Sequence, residues 1–349
     1  MANSRRTYYF DYLRIVASFA VVLLHVAAQN WSTSDVNSFE WKVFNYFDGL
    51  VRWGVPVFVM ISGALFLGKE LDLKVLYRKY IFKMIIVFLF WSLLYALWDY
   101  FVTGSITTTH SFVRRIFAGR RHLWFIPMII GMYMISPFLC RIIYAEKLAC
   151  YFLILSFLFT FLFPQIIEII GLKYEEAADD ISKIVAKIDL YLPLGFSGYY
   201  VLGYVLNKSV LSKRQMAGIY IAGFSGLFAT IALTAWASFK TQDHIHFYGN
   251  FTVNTLFVSV SIFLLAKQLW QKGPASQKRQ HVLVRLSKYS FGVYLVHIFV
   301  IDTLKLCGIT TLTFNPIFSV PVLAILVFII SYLISAVLNM IPVVNRWLV

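Results

Sequence analysis

Asp11, Arg14 and His25 lie within one apolar stretch, DYLRIVASFAVVLLHV, over residues 11–26. Ionisable groups at membrane depth are costly, so each needs a partner or a task. Arg14 and His25 are eleven residues apart. At about 100° per residue they fall within about 20° of one helix face, separated by about 16 Å along the axis. Asp11, three residues before Arg14, is placed for an ion pair one turn away. An imidazole that titrates near neutrality suits removal of a proton from a hydroxyl. A guanidinium suits a fixed phosphate or carboxylate. A structural reading stays open beside this one: a satisfied histidine, and an arginine that locks helices together.

Four further groups of residues have chemical potential. In FDGLVRWGVPVFVMISGALF, Asp48 and Arg52 stand four apart and suit an intrahelical pair. Pro56 loosens that helix, and Ser62 and Gly63 permit close approach of another. Arg78, Lys79 and Lys83 make a basic cluster that suits the phosphates of a nucleotide-containing cosubstrate, or lipid headgroups. His122 and Trp124 in RRHLWFIP follow Arg114, Arg115, Arg120 and Arg121, a setting for an anionic or sugar acceptor, or for an interfacial aromatic belt. Ser290, Tyr294 and His297 share one face in LSKYSFGVYLVH, as a second polar patch or an interhelical hydrogen-bond site. There is no Walker loop, no HExxH and no G-x-S-x-G, which argues against an ATPase, a zinc protease and a serine hydrolase.

The elements that must position these residues are membrane helices. Of 349 residues 60% are hydrophobic and 13% charged, where a soluble domain carries about 25% charged residues. The 33 Phe and 21 Tyr suit helix interfaces and membrane belts. Apolar runs near 8–29, 43–68, 77–101, 122–143, 149–170, 190–206, 215–238, 249–270, 289–308 and 317–341 predict an all-α polytopic bundle of about ten spans, the sixth being the weakest. Residues 1–349 are expected to form a single transmembrane domain. Arg5, Arg6 and HVAAQ mimic a signal peptide, but Asp11 and Arg14 interrupt it, and a retained first span is expected.

The net charge of +15 is distributed between the apolar runs, as topology signals and headgroup contacts are, so nucleic acid is not an expected partner. Cys140, Cys150 and Cys307 have neither a disulfide nor a zinc spacing, and no metal is expected. Lys and Arg in the loops predict both termini inside, with residues 69–83, Arg141, Lys147, Lys208, Lys213, Arg214 and the cluster from Lys267 to Lys288 on the same side. The basic loop 113–122 dissents, because this topology places it outside.

The ensemble resembles the membrane-bound acyltransferase 3 family. Asp11, Arg14 and His25 match its Asp-x-x-Arg and spaced His. RWGVPVFVMISG, HLWFIPMIIGMYMISP, YVLGY and SKYSFGVYLVH follow in the family's order along nearly the whole chain. Within the family the chain resembles the single-domain O-acetyltransferases, such as the one modifying enterobacterial common antigen. No extracytoplasmic esterase-like domain is expected in it. Phe125, Ile126 and Pro127 follow Trp124 where one branch has a Glu, so no carboxylate role is carried over there.

The resemblance implies a multi-pass protein of a bacterial inner membrane. It implies transfer of an acyl group, usually acetyl, from acyl-CoA as cosubstrate to a hydroxyl of a glycan or lipid-linked saccharide. No permanently bound cofactor is implied. His25 is then the base, supported by Arg14 and Asp11. Arg14, Arg78, Lys79 and Lys83 would hold the CoA end. Arg52, His122, Trp124, the four loop arginines, Tyr294 and His297 are the acceptor-side candidates. The alternative from a different class is a secondary exporter of an anionic glycan precursor, with Arg14 and Asp48–Arg52 lining its path; no inverted repeat or paired broken helices support it. A ligand-binding sensor without turnover is a third possibility.

Overall fold

The computed structural model describes residues 6–69, 72–187, 191–270 and 276–349, with only the backbone for 191–193. Arg5 and the stretch 271–275, part of the charge pattern above, lie outside the described residues, as does residue 190 of the sixth expected span. The helices run in order as α1 (Tyr9–Ala27), α2 (Phe39–Val51), α3 (Gly54–Phe66), α4 (Leu73–Val75), α5 (Phe82–Phe101), α6 (Thr109–Ala118), α7 (Phe125–Tyr144) and α8 (Glu146–Ser156). They continue as α9 (Phe163–Gly171), α10 (Glu175–Ala186), α11 (Tyr191–Lys208), α12 (Lys213–Thr241), α13 (Val253–Trp270), α14 (Gln277–Leu306), α15 (Pro316–Met340) and α16 (Pro342–Trp347). π-helical turns join α4 to α5 over Leu76–Ile81 and α8 to α9 over Phe157–Leu162.

Among the described residues nine helical runs are long and apolar enough to cross a membrane. The fold is therefore an all-α membrane bundle. Large apolar side chains such as Phe101, Phe138, Phe224, Phe228 and Leu333 stand exposed on its outside. That is the surface of a protein whose outer solvent is hydrocarbon rather than water. The expected span 43–68 is two helices, α2 and α3, joined at Arg52 and Trp53. The expected span 190–206 coincides with α11, which is not among the nine and departs from helical geometry at Gly195.

α11 packs along α3, and small residues permit it. A Cβ on Gly63 would run into the backbone carbonyl of Tyr200, and one on Gly203 into the backbone of Met60. Each helix thus offers the other a glycine, and the backbones touch. Some serine hydroxyls within the bundle bond back along their own helices. Ser62 donates to the Phe58 carbonyl at 2.8 Å, and Ser136 to that of Met132 at 2.6 Å. No water is needed to satisfy them.

Candidate active site

α1 positions both residues singled out by spacing. Arg14 and His25 line one cavity of about 340 Å³ enclosed by side chains of α1, α3, α7, α14 and the His122–Trp124 turn. Ser287, Lys288 and Tyr294 of α14 and His122 also line it, with the His122 ring centroid 6.5 Å from that of His25. Because α1 is continuous from Tyr9 to Ala27, the two functional groups lie about three turns apart along one wall.

His25 Nδ1 lies 2.8 Å from the Val21 carbonyl and 3.4 Å from Nε2 of His297. A carbonyl accepts and never donates, so the proton belongs on Nδ1. Nε2, which has no protein hydrogen bond among the described residues, keeps the basic lone pair. His297 is itself oriented by the carbonyls of Tyr294 and Val293, at 2.8 and 3.1 Å from its Nδ1. This leaves the His297 Nε2 lone pair facing the His25 N–H. His122 completes a cluster of three imidazoles, its ring centroid 6.5 Å from His25 and 5.4 Å from His297. Both His122 ring nitrogens are buried without a hydrogen-bond partner among the described residues. Its backbone carbonyl accepts from the Tyr294 hydroxyl at 2.8 Å, which ties the turn to α14.

At the other end, Asp11 is held by Arg6 rather than by Arg14. Two hydrogen bonds of 2.8 Å join Arg6 to the carboxylate, whereas the nearest Arg14 nitrogen is 3.7 Å away. Outside the membrane spans, the Asp11 hydrogen bond and charge raise the already high pKa of Arg6. Asp11 therefore neutralises mainly Arg6, and the Arg14 guanidinium keeps most of its capacity for a ligand. Arg78 and Lys79 are exposed on the π-helical turn and do not line the cavity. Lys83 lies with its ammonium 3.4 Å from the backbone oxygen of Val349. Lys288, one member of a cluster read from the sequence as a topology signal, lines the cavity and donates to Asn345 at 2.8 Å.

On the His25 side, Arg52 pairs with Asp48 as the spacing predicts, and its guanidinium lies 4.0 Å from the Tyr248 ring centroid. The four arginines of the dissenting loop part company. Arg115 pairs with Asp99 at 3.1 Å, and Arg120 with Asp99 at 3.3 Å and Asp302 at 2.6 Å. Arg114 and Arg121 are exposed. Two of the four charges are thus neutralised by carboxylates from α5 and α14, which reduces the conflict between this loop and the predicted topology. Trp124 lines the cavity and packs on Phe196 of α11, centroids 5.5 Å apart. Among the described residues no group of three or more His, Cys, Asp or Glu is placed to hold a metal ion.

The cavity therefore gathers Arg14, His25, His122, Trp124 and Tyr294, with His297 directly behind His25. Sequence reading missed Lys288, Asp99 and Asp302, and treated the three histidines as belonging to separate patches. Periodicity within one helix carries no information on which helices touch. A family model described as an acyltransferase domain matches residues 7–336. The chain belongs to the acyltransferase 3 family. It is a membrane acyltransferase, and the match runs through every helix that lines the cavity. No curated protein and no solved structure matches the chain.

Proposed function

We propose that this acyltransferase moves an acyl group, usually acetyl, from acyl-CoA to a hydroxyl of a glycan or lipid-linked saccharide, with His25 as general base. The observation that carries this reading is that Arg14 and His25, about three helical turns apart on α1, line the same cavity. A donor with anionic phosphates and a long arm ending in a thioester suits a cation and a base about 16 Å apart. Arg14 and Lys288 meet the phosphate end, with Arg78, Lys79 and Lys83 in the surrounding basic surface. The largely apolar walls, including Phe58, Ile129 and Phe291, accept the arm and exclude water.

At the far end, Nε2 of His25 takes the proton of the acceptor hydroxyl as the oxygen attacks the thioester carbonyl carbon. The tetrahedral intermediate collapses with cleavage of the carbon–sulfur bond. The imidazolium returns its proton to the departing thiolate, giving free CoA and the ester. The thioester supplies the driving force, and alignment of donor and acceptor in one cavity supplies much of the rate. Trp124 and the partnerless His122 nitrogens contribute to the acceptor side.

The test is thiol release from acetyl-CoA by purified protein in nanodiscs, measured with and without saccharide acceptors. His25→Ala is expected to lower acceptor-dependent release by about 10²–10⁴-fold while CoA binding persists. Turnover close to wild type in that variant would remove His25 as the base.

A further inference from the structure

A second concavity lies away from the His25 cavity. It is a cleft of about 240 Å³ between the π-helical turn before α9, α9 itself and the 249–252 loop, lined by Thr160, Gln165, Glu168, Asn250 and Thr252 among others. We propose that this cleft is a distal saccharide subsite, which takes a further sugar ring of the acceptor whose reacting ring sits at His25. The proposal rests on the saccharide reading above and names where the rest of that acceptor lies.

Three observations support it. First, three of the lining polar groups, those of Thr160, Glu168 and Asn250, are of the kinds that bind polyols and have no side-chain partner among the described residues. Thr160 is fully buried at 0% exposure, and its hydroxyl has no hydrogen-bond partner among the described residues. A helical threonine ordinarily bonds back to the preceding turn. Here the residue sits on a π-helical turn, a local irregularity that recurs at functional sites. The Glu168 carboxylate forms no ion pair and the Asn250 side chain no hydrogen bond among the described residues. Together they offer a hydroxyl, a carboxylate and an amide, which match the mixed donors and acceptors of a sugar.

Second, the wall that carries them is rigid. Gln165 spends both amide atoms on the neighbouring helix, accepting from Val253 N at 2.6 Å and donating to Asn254 Oδ1 at 2.9 Å. The Asn250 carbonyl is anchored by the Tyr199 hydroxyl at 2.7 Å. The unpartnered groups are therefore held in position rather than collapsed onto one another.

Third, an aromatic series connects the cleft to the active cavity. Trp124, which lines the cavity, lies 5.5 Å from Phe196, and Phe196 lies 4.6 Å from Phe251, which lines the cleft. These rings pack on one another and form the wall between the two concavities, so the cleft directly adjoins the cavity wall that Trp124 supplies. The two concavities share no lining residue, so an acceptor that engages both must have more than one ring.

The test uses glucose and N-acetylglucosamine oligosaccharides of one to four rings, titrated calorimetrically into the nanodisc-embedded full chain. Wild-type affinity is expected to rise with ring number. Glu168→Gln and Thr160→Val should each lower affinity for the longer saccharides by about tenfold, and their affinity for single rings much less. CoA binding serves as the folding check. Should Thr160→Val not fold, Glu168→Gln, at an exposed position, carries the test. No saccharide binding, wild-type affinity that ignores ring number, or variants that bind the longer saccharides as wild type does, would each overturn the subsite. Length-dependent binding that both variants abolish, without acyl transfer to the bound saccharide, would support the cleft and refute the saccharide as the acyl acceptor instead.

Discussion

Nε2 of His297 lies 3.4 Å from Nδ1 of His25, and the same His25 nitrogen lies 2.8 Å from the Val21 carbonyl. The two residues are 272 positions apart in the chain. The Val21 carbonyl places the proton of the candidate base on Nδ1, and His297 offers that N–H a second, longer acceptor. With Nδ1 facing two acceptors, the tautomer with a basic Nε2 is favoured.

Replacing His297 should therefore act through His25. In His297→Phe the ring remains but the acceptor is lost, and kcat should fall about tenfold with the KM for acyl-CoA unchanged, as expected for one modest hydrogen bond. Steady-state kinetics on the two substrates check this. An increase in donor KM at constant kcat would place His297 in donor binding instead.

The cationic end of the cavity sorts the basic residues. Arg14→Ala and Lys288→Ala should each raise the KM for acyl-CoA, because both side chains line the cavity. The Arg78→Ala/Lys79→Ala double variant should raise it less, because both residues are exposed outside the cavity. Arg14→Lys should restore only part of the affinity if the guanidinium grips an anion with two nitrogens. Equal effects from all these variants would mean that general surface charge, and not the cavity, attracts the donor.

Asp99 is 1% exposed and shared by Arg115 and Arg120. Asp99→Asn leaves Arg115 without its countercharge and Arg120 with Asp302 alone. It should destabilise the protein by about 3 kcal/mol, the lower end of what removal of one partner from a buried pair costs. Thermal unfolding in detergent reads this as a lower Tm. Arg114→Ala, at an exposed position with no ion pair among the described residues, should leave Tm nearly unchanged.

Helix packing makes a paired prediction on glycines. Gly63→Ala and Gly203→Ala should prevent close packing of α3 and α11, since each new methyl group meets backbone atoms that cannot move alone. Gly131→Ala, where a Cβ meets nothing within 4 Å, should be tolerated and should favour the helix. Yield of folded protein on size exclusion separates the two cases. A folded Gly63→Ala variant at wild-type yield would contradict the α3–α11 contact.

Sidedness follows from the charge pattern and is tested directly. Ser111→Cys and Lys74→Cys, with Cys140, Cys150 and Cys307 replaced, should react with an impermeant thiol reagent from opposite faces of sealed vesicles. Acyl-CoA should be accepted only from the face that exposes position 74. Labelling of both positions from one face would mean that the basic loop 113–122 obeys the positive-inside rule, and the expected number of crossings before it would change.

The sequence by itself determined the solvent and much of the chemistry. Apolar runs long enough to span hydrocarbon specify a helical bundle, because backbone polar groups in lipid must be satisfied within their own segment. Arg14 and His25 were legible as sharing one helix face because both lie on a single helix, where separation and direction follow from residue count, and both line the same cavity. The same local reasoning found the Asp48–Arg52 pair. The tertiary structure alone decided what lies across a helix interface. His25 meets His297 and His122, Arg120 meets Asp99 and Asp302, and Arg6 rather than Arg14 takes most of Asp11. Helical periodicity specifies a face, but not its neighbour; that choice depends on how whole helices pack, down to which glycine admits which backbone.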